Sequence, residues 1–188
     1  MPFEDKISGS NIHGSLSSKE WAQAYIETNH LISVINDNLI VFLKNKGYHA
    51  AKLPEEKNID YEKLKSVWSN RHVAYIAGVG KFGLNNMLIT ESGCCGRLGN
   101  IVTSLKIEPT KRKEEENCLY KHNNTCSICV DRCVNEALFV DGFDRFKCFE
   151  MCKENDKIHG DIGIAEICGK CLVGLPCSLK NPVANMGR

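Results

Sequence analysis

Nine of the eleven cysteines in this 188-residue chain fall between Cys118 and Cys177, and that crowding constrains its fold more than any other feature. The stretch contains two C-x2-C pairs, Cys126/Cys129 and Cys168/Cys171. The first pair runs on to Cys133, giving C-x2-C-x3-C. Sets of soft thiolates at these spacings select metals, and the arrangement of the sets decides which.

A cubane iron–sulfur cluster needs four thiolates at its corners. A tight loop supplies two or three, and the last comes from far along the chain because a short loop cannot wrap the whole cube. Two interleaved sets serve two clusters at once, as in bacterial two-cluster ferredoxins. On this logic the first set is Cys118, Cys126 and Cys129, completed by Cys177. The second is Cys148, Cys168 and Cys171, completed by Cys133. Cys152 is left over, and the open choice is whether Cys118 or Cys152 is the eighth ligand. Zinc also accepts four thiolates from C-x2-C pairs, though the C-x2-C-x3-C triplet suits it less. Covalent haem needs a histidine after the pair, and Val130 and Leu172 stand there. A disulfide framework fits an odd cysteine count poorly. A C-x3-C-x2-C radical cluster starting at Cys148 and Cys152 fails because position 155 is Asn. Cys94 and Cys95 are adjacent, and adjacent side chains rarely converge on one metal, so they are expected to pack as small apolar residues.

The 24 basic and 23 acidic residues balance to a formal charge of +1, which leaves no broad electrostatic footprint for nucleic acid or anionic membrane. No run of eighteen apolar residues suggests a membrane span. The first residues have neither the basic start nor the apolar centre of a secretory signal. A cysteine-rich chain of this kind is expected in the cytoplasm, where thiols stay reduced.

In chain order, residues 1–16 are polar and without periodicity and read as a flexible arm. A long helix is expected near 18–46, opened by a Ser17/Glu20 capping box and stopped by Gly47. Its role is to cover a sheet or pack beside another helix. A short strand at 48–53, a short helix at 60–68 and a helix from Asn70 to Gly78 follow. Residues 98–107, rich in β-branched side chains, read as a strand. Residues 17–107 thus form an α/β portion, 108–117 a charged linker, and 118–188 the cluster portion. In the last, helices are expected at 130–138 and 143–154, with Cys148 and Cys152 on one face at i, i+4. The overall class is α+β. Gly78, Gly80 and Gly83 match G-x-G-x-x-G, but they follow a helix rather than a strand and no long helix follows them, so a dinucleotide site is not expected.

AGVGKFGLNNMLI at 77–89, then a strand, then two interleaved cysteine sets, resembles the epoxyqueuosine reductase family. KGY (46–48) and SNRH (69–72) are similar to its shorter members, and the resemblance covers about residues 20–180. It implies a truncated nitroreductase-like portion that holds cobalamin, followed by a ferredoxin-like domain whose two [4Fe–4S] clusters reduce it. It places Gly78, Gly80, Gly83 and Asn85 in the loop beside the corrinoid. It further implies an oxidoreductase, an electron donor such as a ferredoxin or flavodoxin, and a modified tRNA base as substrate. The chain departs from the family at Lys81 and Leu84 in the loop, at Val134 and Ser178 after the cysteine sets, and in the wide gap between Cys118 and Cys126. The family's aspartate ahead of the loop has no counterpart, and neither does its longer N-terminal portion. The expectation is therefore electron delivery to a cofactor or substrate near 78–95, with no tight cobalamin binding by the monomer and a second subunit completing the pocket as a homodimer. The alternative is a two-cluster electron carrier with no catalytic site of its own.

Overall fold

The computed structural model describes residues 1–53, 59–184 and 186. Helix α1 spans Asp5–Ser10 and α2 spans Lys19–Asn45. Strands β1 (Ala50–Ala51), β2 (Ile59–Asp60) and β3 (Lys65–Ser66) follow, then α3 (Asn70–Ile76). Strands β4 (Gly80–Phe82), β5 (Leu88–Thr90) and β6 (Val102–Thr103) complete the first half. The cysteine-rich half carries α4 (Leu119–Asn123), α5 (Ile128–Asp131) and α6 (Arg145–His159). The strands pair antiparallel as β1–β6, β2–β3 and β4–β5, three two-stranded sheets, so the fold is α+β. The expected α/β portion contains no parallel pair among the described residues.

Helix α2 is closed at both ends by local hydrogen bonding. Ser18 Oγ accepts from the Trp21 N–H at 3.1 Å, one residue beyond the expected cap. Ser17 is diverted: its N–H and hydroxyl both donate to Asn155 Oδ1, at 2.6 and 2.7 Å. At the other end Gly47 turns left-handed (φ +84°). Its N–H donates to the Lys44 carbonyl, and the Tyr48 N–H to that of Leu43. That pair of bonds is a Schellman motif, which satisfies carbonyls the helix leaves open.

Helix α2 covers no sheet with its first turn. Trp21 and Ala22 are buried with Cys95, Ala165, Ile167 and Val173, with Phe3 against the indole edge at 5.2 Å. The core therefore joins the start of the chain to its end. Farther along, Ile40 and Leu43 pack on Ala50 of β1.

Four expectations need correction. Residues 1–16 are not a loose arm: Asn11 is fully buried, its Oδ1 accepting from the Ser18 N–H and its Nδ2 donating to the Cys168 carbonyl. Their order comes from contacts across the whole chain, which periodicity cannot reveal. Residues 60–68 form no helix but the β2–β3 hairpin. Asp60 Oδ1 accepts from the N–H groups of Glu62 and Lys63, both at 3.0 Å, and so holds a turn that competes with helix. The strand expected over 98–107 contracts to β6, because its partner β1 offers two residues. The helix expected at 130–138 is the four-residue α5, displaced toward Cys129. The charged segment 108–117 lies against the β4–β5 hairpin, with Lys113 paired to Glu91 at 2.8 Å and Asn117 Nδ2 donating to the Ile89 carbonyl at 2.7 Å.

Candidate metal centre

The wide gap between Cys118 and Cys126 is taken up by a helical turn. Cys118 caps α4, the His122 N–H donates back to the Cys118 carbonyl, and Asn124 leaves in the left-handed region (φ +58°). This doubling-back returns the chain beside its own start. Cys118, Cys126, Cys129 and Cys177 then line one narrow cavity of about 20 Å³. Leu84, Ile89 and Leu175 form its apolar wall. Burial, and then the neighbouring Cys177, Cys118 and Cys126, push the Cys129 thiol up to about 12.

The second group assembles from three segments. Asp144 Oδ1 accepts from the N–H groups of Phe146 and Lys147 and caps α6, which carries Cys148 and Cys152 one turn apart. Cys133 arrives from the end of α5, where its sulfur accepts the Ala137 N–H at 3.2 Å. Cys168 and Cys171 come from the loop under Trp21. Cys133, Cys148, Cys152, Cys168 and Cys171 line a cavity of about 210 Å³. Burial pushes the Cys168 thiol up to about 11. Burial also raises Cys171, with Cys168, Cys148, Cys133 and Cys129 adding to the effect. The Cys152 hydrogen bond lowers Cys148 to about 7, aided by the Arg71 charge.

Each predicted set of four is thus gathered about its own cavity, and Cys133, next to the first set in sequence, sits in the second. Cys152 lies with the second set and not the first, so its competitor is Cys148 rather than Cys118. Buried thiols that raise one another's pKa resist ionisation, and a bound cation reverses that cost. Among the described residues no three His, Cys, Asp or Glu side chains converge tightly enough to hold one metal ion. A single tetrahedral ion would bring its thiolates to about 3.8 Å of one another, from bonds of about 2.3 Å.

The glycine loop lies between the two groups. Gly78 ends α3 at φ +76°. Gly80 brings β4 so close to β5 that a Cβ would strike the Ile89 carbonyl. At Gly83 a Cβ would meet Asn85 Oδ1 at 2.8 Å. Asn85 is buried, donating to the Cys171 carbonyl at 3.0 Å and accepting the Met87 N–H at 3.1 Å. Gly80, Gly83 and Asn85 therefore have places in the β4–β5 hairpin and Gly78 in the turn that leads into it, and no phosphate-binding helix follows them. Lys81 reaches the Glu114 carbonyl at 3.2 Å. Cys94 and Cys95 are buried in apolar clusters, with Cys94 Sγ 4.0 Å from Cys177 Sγ and Cys95 Sγ donating to the Leu172 carbonyl.

Three residues near the centre escape sequence reasoning. Lys170, inside the second C-x2-C pair, is 1% exposed and donates to the carbonyls of Asn11 (3.0 Å) and His13 (2.7 Å). Arg71 and Arg97 border a cavity of about 630 Å³ formed by residues 1–2, 69–71, 79 and 87–98. Lone basic residues carry no spacing signal; only the position of Lys170 between two cysteines could have flagged it. No helix among the described residues is long and apolar enough to cross a membrane. No family model matches the chain, and neither a curated protein nor a solved structure matches it.

Proposed function

We propose that this chain carries two [4Fe–4S] clusters and acts as an oxidoreductase that delivers electrons toward the cavity beside residues 78–95. The observation that carries this reading is the separation of the eight interleaved cysteines between two cavities: Cys118, Cys126, Cys129 and Cys177 line one, and Cys133, Cys148, Cys168 and Cys171 line the other together with Cys94 and Cys152. Cys118, Cys126, Cys129 and Cys177 would hold one cluster; Cys133, Cys148, Cys168 and Cys171 the other. When bound, the clusters supply one-electron transfer. Leu84, Ile89 and Leu175 would exclude water from the first, and Asn85 holds the Cys171 main chain of the second group. Residues 118–188 correspond on this reading to a ferredoxin-like domain and the preceding part to a reduced relative of the nitroreductase-like portion. A ferredoxin or flavodoxin is the fitting electron donor. The second reading, a carrier without a site of its own, is favoured by the lack of an assigned catalytic acid.

Anaerobic reconstitution tests the proposal. About eight iron and eight sulfide per chain are expected, four of each per cubane. About two zinc and no sulfide under the same conditions would overturn it. The epoxyqueuosine reductase resemblance is tested separately by titration with cob(II)alamin. Lys81, whose charge would be costly against a buried macrocycle, leads us to propose that the monomer does not bind the corrinoid tightly. Micromolar binding to a monomer would restore it.

A further inference from the structure

One cavity of about 630 Å³ is lined by neither set of four cysteines. It lies between the α3 start, the β5 turn and the segment from Gly93 to Leu98. Its volume of about 630 Å³ falls among small-molecule sites, which span about 300–1,000 Å³. Met87, Cys94, Gly96 and Arg97 border both this cavity and the one around the second cysteine group, so the two spaces share a wall.

That wall is basic. Arg71 is held by donation from Nη1 to the Asn86 carbonyl at 2.7 Å. Arg97 is held by donation from Nε to Asn29 Oδ1 at 2.8 Å, its guanidinium 4.4 Å from the centre of the Tyr25 ring. Each is thus anchored by one edge, and neither forms an ion pair with a carboxylate among the described residues. Glu91, the only carboxylate in the described lining, is exposed and taken by Lys113. Both guanidinium groups are largely desolvated, and burial disfavours the charge of each. Two partly buried cations with planar donor forks, and no carboxylate partner among the described residues, match the oxygens of a phosphate or carboxylate.

We propose that this cavity is the binding site for a small organic anion, a phosphate- or carboxylate-bearing molecule, seated by Arg71 and Arg97 against the second cysteine group. As an electron acceptor this ligand would rest on the two-cluster reading; its binding does not, and the experiment measures binding alone. Purified full-length chain, with iron, sulfide and zinc assayed in parallel, is titrated calorimetrically with inorganic phosphate and, separately, with succinate. Saturable binding of at least one probe at about 1 mM or tighter is expected. Arg71→Gln and Arg97→Gln should each weaken it at least tenfold. Ser92→Glu, which adds a carboxylate at an exposed lining position, should weaken it as well without touching either anchor. The stronger probe identifies the head group. No saturation with either probe, or equal binding by the wild type and Ser92→Glu, overturns the proposal whatever metal the protein carries. If the arginine variants fail to fold, the Ser92→Glu comparison decides alone.

Discussion

The indole of Trp21 rests directly on Gly169: a methyl group at position 169 would lie 2.5 Å from Cε2, Cζ2 and Nε1 of the ring. Gly169 also sits at φ +76°, where a side chain is strained. Both constraints fall between Cys168 and Cys171, so this contact seats the long helix α2 directly on the second C-x2-C loop. Gly169→Ala should cost about 3 kcal/mol, from left-handed strain together with overpacking. Denaturant unfolding of the reconstituted protein measures it, and an unchanged midpoint would contradict the packing described. Trp21→Ala, which empties the same site from the other side, should cost about 3–5 kcal/mol.

The cysteine assignments separate under single substitution. Cys118→Ala should lower iron from about eight to about four per chain. Cys152→Ala should leave the count unchanged. Cys148→Ala differs from both, because Cys152 stands one turn away on α6 and on the same cavity. There the expected outcome is a retained cluster with an altered electron paramagnetic resonance signal. Full iron in Cys118→Ala would refute the first set.

Lys170 holds the N-terminal segment to the second C-x2-C loop. Lys170→Met keeps the length of the side chain but leaves the Asn11 and His13 carbonyls without their donor. Buried groups left unpaired cost about 1–3 kcal/mol each. Limited proteolysis should then cut near residues 13–16 in the variant under conditions that spare the wild type. Loss of the buried ammonium should also lower the reduction potential of one cluster and leave the other unmoved, since removing positive charge disfavours the reduced form. Equal shifts in both would place Lys170 elsewhere.

Cys94 and Cys95 are buried, with 8% and 1% of their surfaces exposed. Alkylation of the folded, metal-loaded protein should leave both unmodified while the unfolded chain reacts at all free thiols. Rapid selective labelling of Cys94 would show that the shared wall opens.

The elements that announced themselves in the sequence are those governed by local rules. Helix α2 was legible to within a residue because its stop at Gly47 and its apolar spacing are local. Chain connectivity, which fixes what a short loop can reach, separated the cysteines into two groups in the sequence, and each group lies on a cavity of its own. The hairpin at 59–66 was missed because one Asp60 side chain outweighs weak helical spacing, and the order of residues 1–16 was missed because Asn11 and Ser17 find partners more than 130 residues away. The arginines of the large cavity were invisible for the same reason: their meaning lies in what does not stand beside them.

The bonds from Asn11 and Lys170 across the ends of the chain set an order of events during synthesis. The first sixteen residues leave the ribosome long before Cys168 and Lys170 exist to receive them. Until then Asn11 has no main-chain acceptor and Trp21 no glycine to lie on. Helix α2 can form early from its own caps, but it must wait with its tryptophan uncovered. The first cysteine group is likewise short of Cys177 until that residue is made. Docking of Asn11 and Trp21 and gathering of both cysteine groups thus wait on the same late segment, and a nascent chain stalled before Cys168 would present an exposed indole and unsatisfied thiols together.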